Sequence, residues 1–396
     1  MVTASPPILG VVGGGQLGRM LAEAASPLGV ELVVLDPTPD CPASSVAREQ
    51  IVGGFDDEDA IRELAETADA LTFEIELADP DVLEAVEEEY GVPVHPDPAT
   101  LRMIQDKLVQ KRALKEQGIP VPDFRPVDDR DDLLAAGEEF GYPMMLKARK
   151  GGYDGRGNVP VESPDDVDSV LDEVSGELMV EQFVPFEREL SVIAVKGDDE
   201  IATFPVGENV HEDEILRETV VPARASEPVR ERAEDVARDV LSVLSGRGVY
   251  GIELFEGEDG AISVNEIAPR PHNSGHYTIE GALTSQFEQH VRGVFGYPLG
   301  ANDLRSPVVM SNILGDVAES QPADLSGVDE VLSTHGASFH WYGKHQVRPL
   351  RKMGHVTLVG GSFANDSPTD EASAVESSTA DLLADARSLT DTLTFQ

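Results

Sequence analysis

Two stretches far apart in the chain hold residue types that could do chemistry. The first runs Lys147-Ala-Arg-Lys-Gly-Gly-Tyr-Asp-Gly-Arg-Gly157. Its glycines expose backbone N–H donors and let a loop close over phosphates, with Lys147 at its mouth. It is not a Walker loop, because no Gly-x4-Gly-Lys-[Ser/Thr] occurs. A plain surface turn would not call for Lys147, Arg149, Lys150 and Arg156 in so acidic a chain. The second stretch runs Val264-Asn-Glu-Ile-Ala-Pro-Arg-Pro-His-Asn-Ser-Gly-His276. Glu266 sits there beside Arg270, His272, Asn273 and His276. On a hairpin turning at 258–261, Glu253 faces Glu266 and Phe255 faces Val264. Opposed carboxylates repel, and a magnesium ion bridging them to phosphate oxygens would offset that; a solvated pair on an exposed face is the plain alternative. Together the stretches imply an enzyme that uses ATP to activate a small anion.

Two further motifs offer anion contacts. Gly13-Gly-Gly15-Gln-Leu-Gly18 matches G-x-G-x-x-G between a strand and a helix, with Asp36 ending the next strand. That turn points N–H groups at a ligand, whether a dinucleotide such as NAD, a nucleotide sugar or a ribose phosphate. Near the other end, Lys344, Arg348, Arg351 and Lys352 form a basic cluster able to grip a phosphate through forked donors.

The elements that must position these groups read as follows. Strands at 8–12 and 31–35 flank a helix at 16–28, a β-α-β opening that predicts a parallel sheet. A helix at 59–68, a strand at 70–74, a helix at 79–90 and a short strand at 92–95 complete a first unit, ending at Pro96-Asp97-Pro98. One helix is expected over 101–117, closed by Gly118 and Pro120. Strands at 142–147 and 158–161 enclose the glycine-rich loop. A helix at 165–174, a strand at 178–181 and a hairpin of 190–195 with 201–206 follow. A long helix at 228–244 carries Val236, Val240, Val243 and Leu244 on one face. From about 306 short strands and glycine turns imply a small β unit. Residues 372–393 read as a weak helix or partly disordered tail.

Composition narrows the partners. The 396 residues carry 74 Asp+Glu against 30 Lys+Arg, a net charge of -44. Such a surface repels nucleic acid and anionic membranes. It fits concentrated intracellular salt, where at molar strength the Debye length falls to roughly 3 Å. The single cysteine, Cys41, forms no intrachain disulfide and fits a reducing cytosol. No run nears the ~20 apolar residues of a membrane span, and no export signal is evident. A cytoplasmic protein is expected.

The motifs together resemble those of ATP-grasp enzymes, and among them the N5-carboxyaminoimidazole ribonucleotide synthase family. The resemblance rests on the stretches above with 72–76, 181–184, 189–191, 208–211, 265–266 and 342–355, in order along nearly the whole chain. It implies mixed α/β and α+β architecture: a Rossmann-like pre-ATP-grasp parallel-sheet domain (1–98), an ATP-grasp domain (99–305, in lobes of about 120–180 and 181–305), a small C-terminal β domain (306–363) and an acidic tail (364–396). It implies that ATP, bicarbonate and 5-aminoimidazole ribonucleotide give ADP, phosphate and the N5-carbamate through carboxyphosphate. ATP would meet Arg102, Lys147, the loop Gly151, Gly152, Tyr153, Asp154, Gly155, Arg156 and Gly157, then Glu181, Gln182, Phe183, Val184, Glu189, His211, Asn265 and Glu266. Glu253 and Glu266 would hold Mg2+, or Mn2+ in its place. Arg270, His272 and Lys344 would handle bicarbonate, with Tyr153, Asp154 and Arg156 closing over the intermediate. The ribonucleotide would meet Gln16, Leu17, Glu76, Asn273, Ser274, Lys344, Arg348 and Arg351, so that the N-terminal turn serves substrate and not NAD. The chain departs from the family at Leu350, where glycine is usual. A homodimer is the family's usual state. A formate-dependent glycinamide ribonucleotide transformylase is the nearest rival; an NAD-dependent oxidoreductase and a nucleotide-sensing protein without turnover are the others.

Overall fold

The computed structural model describes residues 5–151, 157–212, 214–361 and 371–396, with backbone alone over 371–378. Gly152, Tyr153, Asp154, Gly155 and Arg156 lie outside the described residues.

In the first unit β1 (Ile8–Val12), β2 (Glu31–Asp36), β3 (Glu49–Val52) and β4 (Ala70–Phe73) form a parallel sheet in the order β3-β2-β1-β4. The apolar runs of β1, β2 and β4 are buried almost end to end, as a sheet covered on both faces requires. The covering helices are α1 (Gln16–Ala25), α2 (Glu58–Thr67) and α3 (Pro80–Tyr90). Asp57 and Asp79 cap the last two, their carboxylates accepting first-turn N–H groups. β3 adds to the strands expected from sequence, where its exposed Glu49 and Val52 hide the pattern. The strand expected at 92–95 is only a single bridge, Leu71 with Val94; Pro93 and Pro96 remove the donors a longer ladder needs.

One expected helix over 101–117 is two, α4 (Pro98–Gln105) and α5 (Lys107–Glu116). Asp106 breaks it. Its backbone is extended, and its carboxylate accepts from Leu108 N–H at 3.1 Å and Val109 N–H at 3.3 Å, capping α5.

A small antiparallel sheet follows: β5 (Phe124–Val127), β6 (Met144–Ala148), β7 (Asn158–Val161) and β8 (Leu178–Gln182), ordered β5-β8-β6-β7. Helices α6 (Arg130–Phe140) and α7 (Val167–Glu173) pack against it around Leu133, Leu146, Val161 and Val170. The β6–β7 hairpin carries the glycine-rich loop.

The large sheet starts with β9 (Phe186–Lys196), β10 (Ile201–Thr203), β11 (Gly207–Glu212), β12 (Ile215–Val221), β13 (Gly248–Gly257) and β14 (Ile262–Ala268). Helix α8 (Glu227–Val243) covers it through Val229, Ala233, Ala237, Val240 and Leu241. Val236 and Val243, expected on that face, lie partly buried at its rim. Two more helices follow, α9 (Thr278–Gly281) and α10 (Gln286–Val294); α10 lies between α1 and β13, joining the first unit to the large sheet.

The remaining elements are β15 (Val308–Leu314), β16 (Gln321–Pro322), β17 (Leu325–Ser326), α11 (Val328–Ser333), β18 (Ala337–Trp341), β19 (Gln346–Val347), β20 (Lys352–Val359), α12 (Glu371–Thr390) and β21 (Thr394–Phe395). They build no separate main sheet. β15 pairs with β12, β20 with β15 and β18 with β20, so the large sheet runs β14-β13-β9-β11-β12-β15-β20-β18. The tail expected to be weakly ordered folds onto this sheet over 371–396. Leu382, Leu383, Ala386 and Leu389 of α12 are buried, Arg387 donates to Glu218 at 2.9 and 3.0 Å, and β21 pairs with β17. No helix among the described residues is long and apolar enough to cross a membrane.

Candidate active site

The two carboxylates meet as their spacing predicts: Glu253 on β13 pairs with Glu266 on β14. The flanking register differs. Leu254, not Phe255, faces Val264, because a bulge inserts Asn265 between Val264 and Glu266. The bulge turns Glu266 to the face of Glu253. Burial first, and then the charge of Glu266, push Glu253 up to about 7. Two acids in register, one of them buried beside the other's charge, suit a divalent cation, which would offset both the burial and the repulsion. Asn209 Nδ2 reaches Glu253 at 3.5 Å. His211 Nδ1 lies 2.8 Å from Glu189; burial opposes its charge, but Glu189 and Glu253 hold its proton affinity above the usual value.

From the small sheet, Lys147 donates to Glu181 at 2.8 Å. A second lysine completes the group: Lys111 of α5, 1% exposed, lies 3.4 Å from the other oxygen of Glu181. Burial alone would raise Glu181, yet Lys111 and then Lys147 hold it down to about 2. Burial lowers Lys111 itself to about 8. Next to it Arg149 forks onto Asp106, which ties the start of the glycine-rich loop to the α4–α5 break. Gly151 and Gly157 both have positive φ (78° and 86°), and Ala148 N–H donates to Gly157 C=O at 2.9 Å. Gln182 and Phe183 are exposed and Val184 half-buried where β8 passes to β9. Arg102 points elsewhere: its guanidinium donates to Asp81 at 2.7 Å and Glu84 at 2.6 Å on α3.

The remaining residues come from all three segments. Arg270, 7% exposed, forks onto Glu76 at 2.9 and 3.0 Å. His272 accepts at Nδ1 from Ser274 N–H (3.4 Å) and has Ser274 Oγ at 2.9 Å, leaving its proton on Nε2, which lies 3.9 Å from Glu253. Burial, then Arg270, keep this ring neutral. Asn273 and Asn312 exchange amide hydrogen bonds at 3.0 and 2.8 Å, so Asn273, like the buried Ser274, is engaged within the protein. His276 Nε2 lies 3.4 Å from Gln16 Nε2, and Lys344 donates to Gln16 Oε1 at 3.0 Å. Leu17 is buried in the core under α1. Arg348 is exposed. Arg351 donates to Gln346 C=O at 2.6 Å, and burial and Arg348 lower its proton affinity. Between them Leu350 takes φ +60°, the left-handed conformation that the family's glycine adopts freely.

The G-x-G-x-x-G turn is filled by the chain itself. Gly15 and Gly18 N–H both donate to the carboxylate of Glu74, which follows β4, and Gly14 N–H donates to Asp36 at 3.0 Å. A Cβ on Gly13 would stand 2.3 Å from Glu74 Cγ, and one on Gly15 2.9 Å from Glu74 Oε1. Gly13, at φ +110°, needs its missing side chain on both counts. The glycines therefore admit an internal carboxylate where a dinucleotide would place its pyrophosphate, which weighs against the NAD alternative. Sequence reasoning missed Glu74 and Lys111. Glu74 had a signal: an acid at the carboxyl end of the strand beside the turn. Lys111 had none, because a lysine in a basic helix reads as surface.

This fold and this set of residues define an enzyme of the ATP-grasp class. Three family models cover the chain in order: the ribonucleotide synthetase preATP-grasp domain (residues 7–105), the ATP-grasp domain (112–287) and the phosphoribosylaminoimidazole carboxylase C-terminal domain (308–365). An N5-carboxyaminoimidazole ribonucleotide synthase of Brucella melitensis is 42% identical over 89% of this chain and 96% of its own. A chloroplastic phosphoribosylaminoimidazole carboxylase of Vigna aconitifolia is 41% identical over 90% of this chain, which spans 65% of that longer protein. A crystal structure of N5-carboxyaminoimidazole synthase from Aspergillus clavatus, in complex with ADP and the aminoimidazole ribonucleotide, superposes with a TM-score of 0.86 at 36% identity, covering 98% of this chain and 99% of that one. The chain belongs to the N5-carboxyaminoimidazole ribonucleotide synthase family of ATP-grasp ligases.

Proposed function

We propose that this chain carboxylates 5-aminoimidazole ribonucleotide with bicarbonate at the expense of ATP, in purine synthesis, releasing ADP and phosphate. One observation carries the reading: an unbroken walk of contacts joins the three segments. It runs from Lys147 through Glu181 and Lys111 to the bulge before Glu266, across to Glu253 and His272, then by Gln286 and His276 to Gln16 and Lys344. The residues read as nucleotide, anion and acceptor contacts are thus linked side chain to side chain, which supports the reading.

In this reading Lys147 and the 151–157 loop receive the ATP phosphates, and Gln182 to Val184 with Glu189 and His211 hold the nucleoside. Glu253 and Glu266 hold magnesium, which when bound neutralises phosphate charge. Arg270, oriented by Glu76, offers a forked donor to bicarbonate. Neutral His272 offers Nε2–H to the same anion. Lys344, fixed by Gln16, faces the ribonucleotide with Arg348 and Arg351. No covalent nucleophile is needed; the work is positional and electrostatic. The relative crystallised with ADP and the ribonucleotide supports this substrate set.

The test is coupled ADP release with bicarbonate and ribonucleotide omitted in turn. Release is expected only when both are present. Equal release with glycinamide ribonucleotide and formate would move the chain to the rival ligase.

A further inference from the structure

Lys111 is absent from the residue set that the family resemblance supplies, yet it stands where two halves of the site join. Its ammonium is buried by α5, with side-chain exposure of 2%. A buried charge of this kind is costly unless fully paired. Lys111 donates to two carbonyls, Val264 C=O at 2.9 Å and Asn265 C=O at 3.0 Å, and its charge pairs with Glu181 Oε1 at 3.4 Å. Val264 and Asn265 are the two residues of the β14 bulge. That bulge alone puts Glu266 opposite Glu253, since strict alternation from the Leu254–Val264 pair would put Asn265 there instead. Glu181 in turn holds Lys147.

We propose that Lys111 is a positioning residue that locks the β14 bulge, and so the aim of Glu266, to the Glu181–Lys147 pair, coupling the cation-binding carboxylates to the phosphate-binding lysine. The inference rests on the nucleotide-site reading given above. Lys111 touches neither nucleotide nor cation; it acts through the bulge carbonyls and through Glu181.

The test is ATP-analogue binding by calorimetry, in magnesium and in EDTA, on the full chain and on Lys111→Met and Lys111→Gln. Lys111→Met removes every donor. It is expected to weaken magnesium-dependent binding about 10-fold, the low end for removing a partner behind a metal ligand, and to change binding in EDTA less than about 3-fold. Lys111→Gln keeps two N–H donors for the bulge and should recover most of the magnesium dependence. Equal losses with and without magnesium, or no loss in Lys111→Met, overturn the proposal. So does failure of both variants to fold, which makes Lys111 a core strut only. If the unaltered chain binds no nucleotide in magnesium, the site reading itself has failed, a result distinct from all of these.

Discussion

The turn at Gly13–Gly18 and the strand pair β13–β14 both concentrate unbalanced charge, and they resolve it in opposite ways. At the turn, a helix N-terminus aims N–H groups at an anion, and the chain supplies that anion as Glu74. At the strand pair, two carboxylates face each other, and the charges of His211 and Lys352 only partly offset burial and the repulsion from Glu266, so Glu253 is pushed up to about 7. Among the described residues no group of three or more His, Cys, Asp or Glu forms a complete metal cage. A motif therefore marks a ligand site only where its charge is left open. The glycine-rich turn resembles a cofactor site more closely in sequence, and it is the one already closed.

The sharpest way to break this contrast is Glu253→Gln. Turnover should fall at least ~100-fold with the fold retained, because the cation proposed there would lose a ligand; unchanged ADP release would remove Glu253 from the site. The same variant tests the electrostatics in metal-free protein. Burial and Glu266 push Glu253 up to about 7 from the usual 4.5, so the folded state binds more protons than the unfolded state between those pH values. Stability therefore falls as pH rises from about 4.5 to 7, and Glu253→Gln should lose that slope in thermal scans.

A smaller effect is expected from Glu74→Ala. Two buried N–H groups lose their acceptor, at a cost of about 2 kcal/mol. The vacated turn should then respond to anions: phosphate should raise the melting temperature of the variant more than that of the unaltered chain, whose proposed nucleotide and ribonucleotide sites also take phosphate. Equal stabilisation of both would show that removing Glu74 opens no anion site. The smallest effect is at Leu350→Gly. Left-handed backbone costs a non-glycine residue roughly 1–2 kcal/mol, and glycine returns part of that as chain entropy. A net gain of up to about 1 kcal/mol in denaturant unfolding is expected, with ribonucleotide KM unchanged.

Much of this was legible in sequence because it depended on local pattern. Strands β1, β2 and β4 are continuous apolar runs; the pairing of Glu253 with Glu266 is expected from a hairpin one register off, and the bulge at Asn265 is what brings it about. What escaped depended on partners distant in sequence. The bulge at Asn265 is held by Lys111, 154 positions away, and no periodicity within β14 announces it. The break between α4 and α5 turns on Asp106, whose capping role competes with a helical pattern that runs straight through it. The order of the tail comes from Leu382, Leu383, Ala386 and Leu389 finding a sheet face, inside a Ser-, Thr- and Asp-rich stretch that looks unable to fold alone. Arg102, expected from the family resemblance as an ATP contact, is held by Asp81 and Glu84 of α3, partners that no local pattern announces.

The pairing of β12 with β15 reaches beyond catalysis. Severing the chain near residue 305 would strip β12 of its outer neighbour and leave Val220, Thr219 and Glu218 on an open ladder beside a bare apolar face. Open ladders of that kind recruit foreign strands. The last ninety residues are thus a solubility requirement for the catalytic body and not an appendage that can be exchanged like a module.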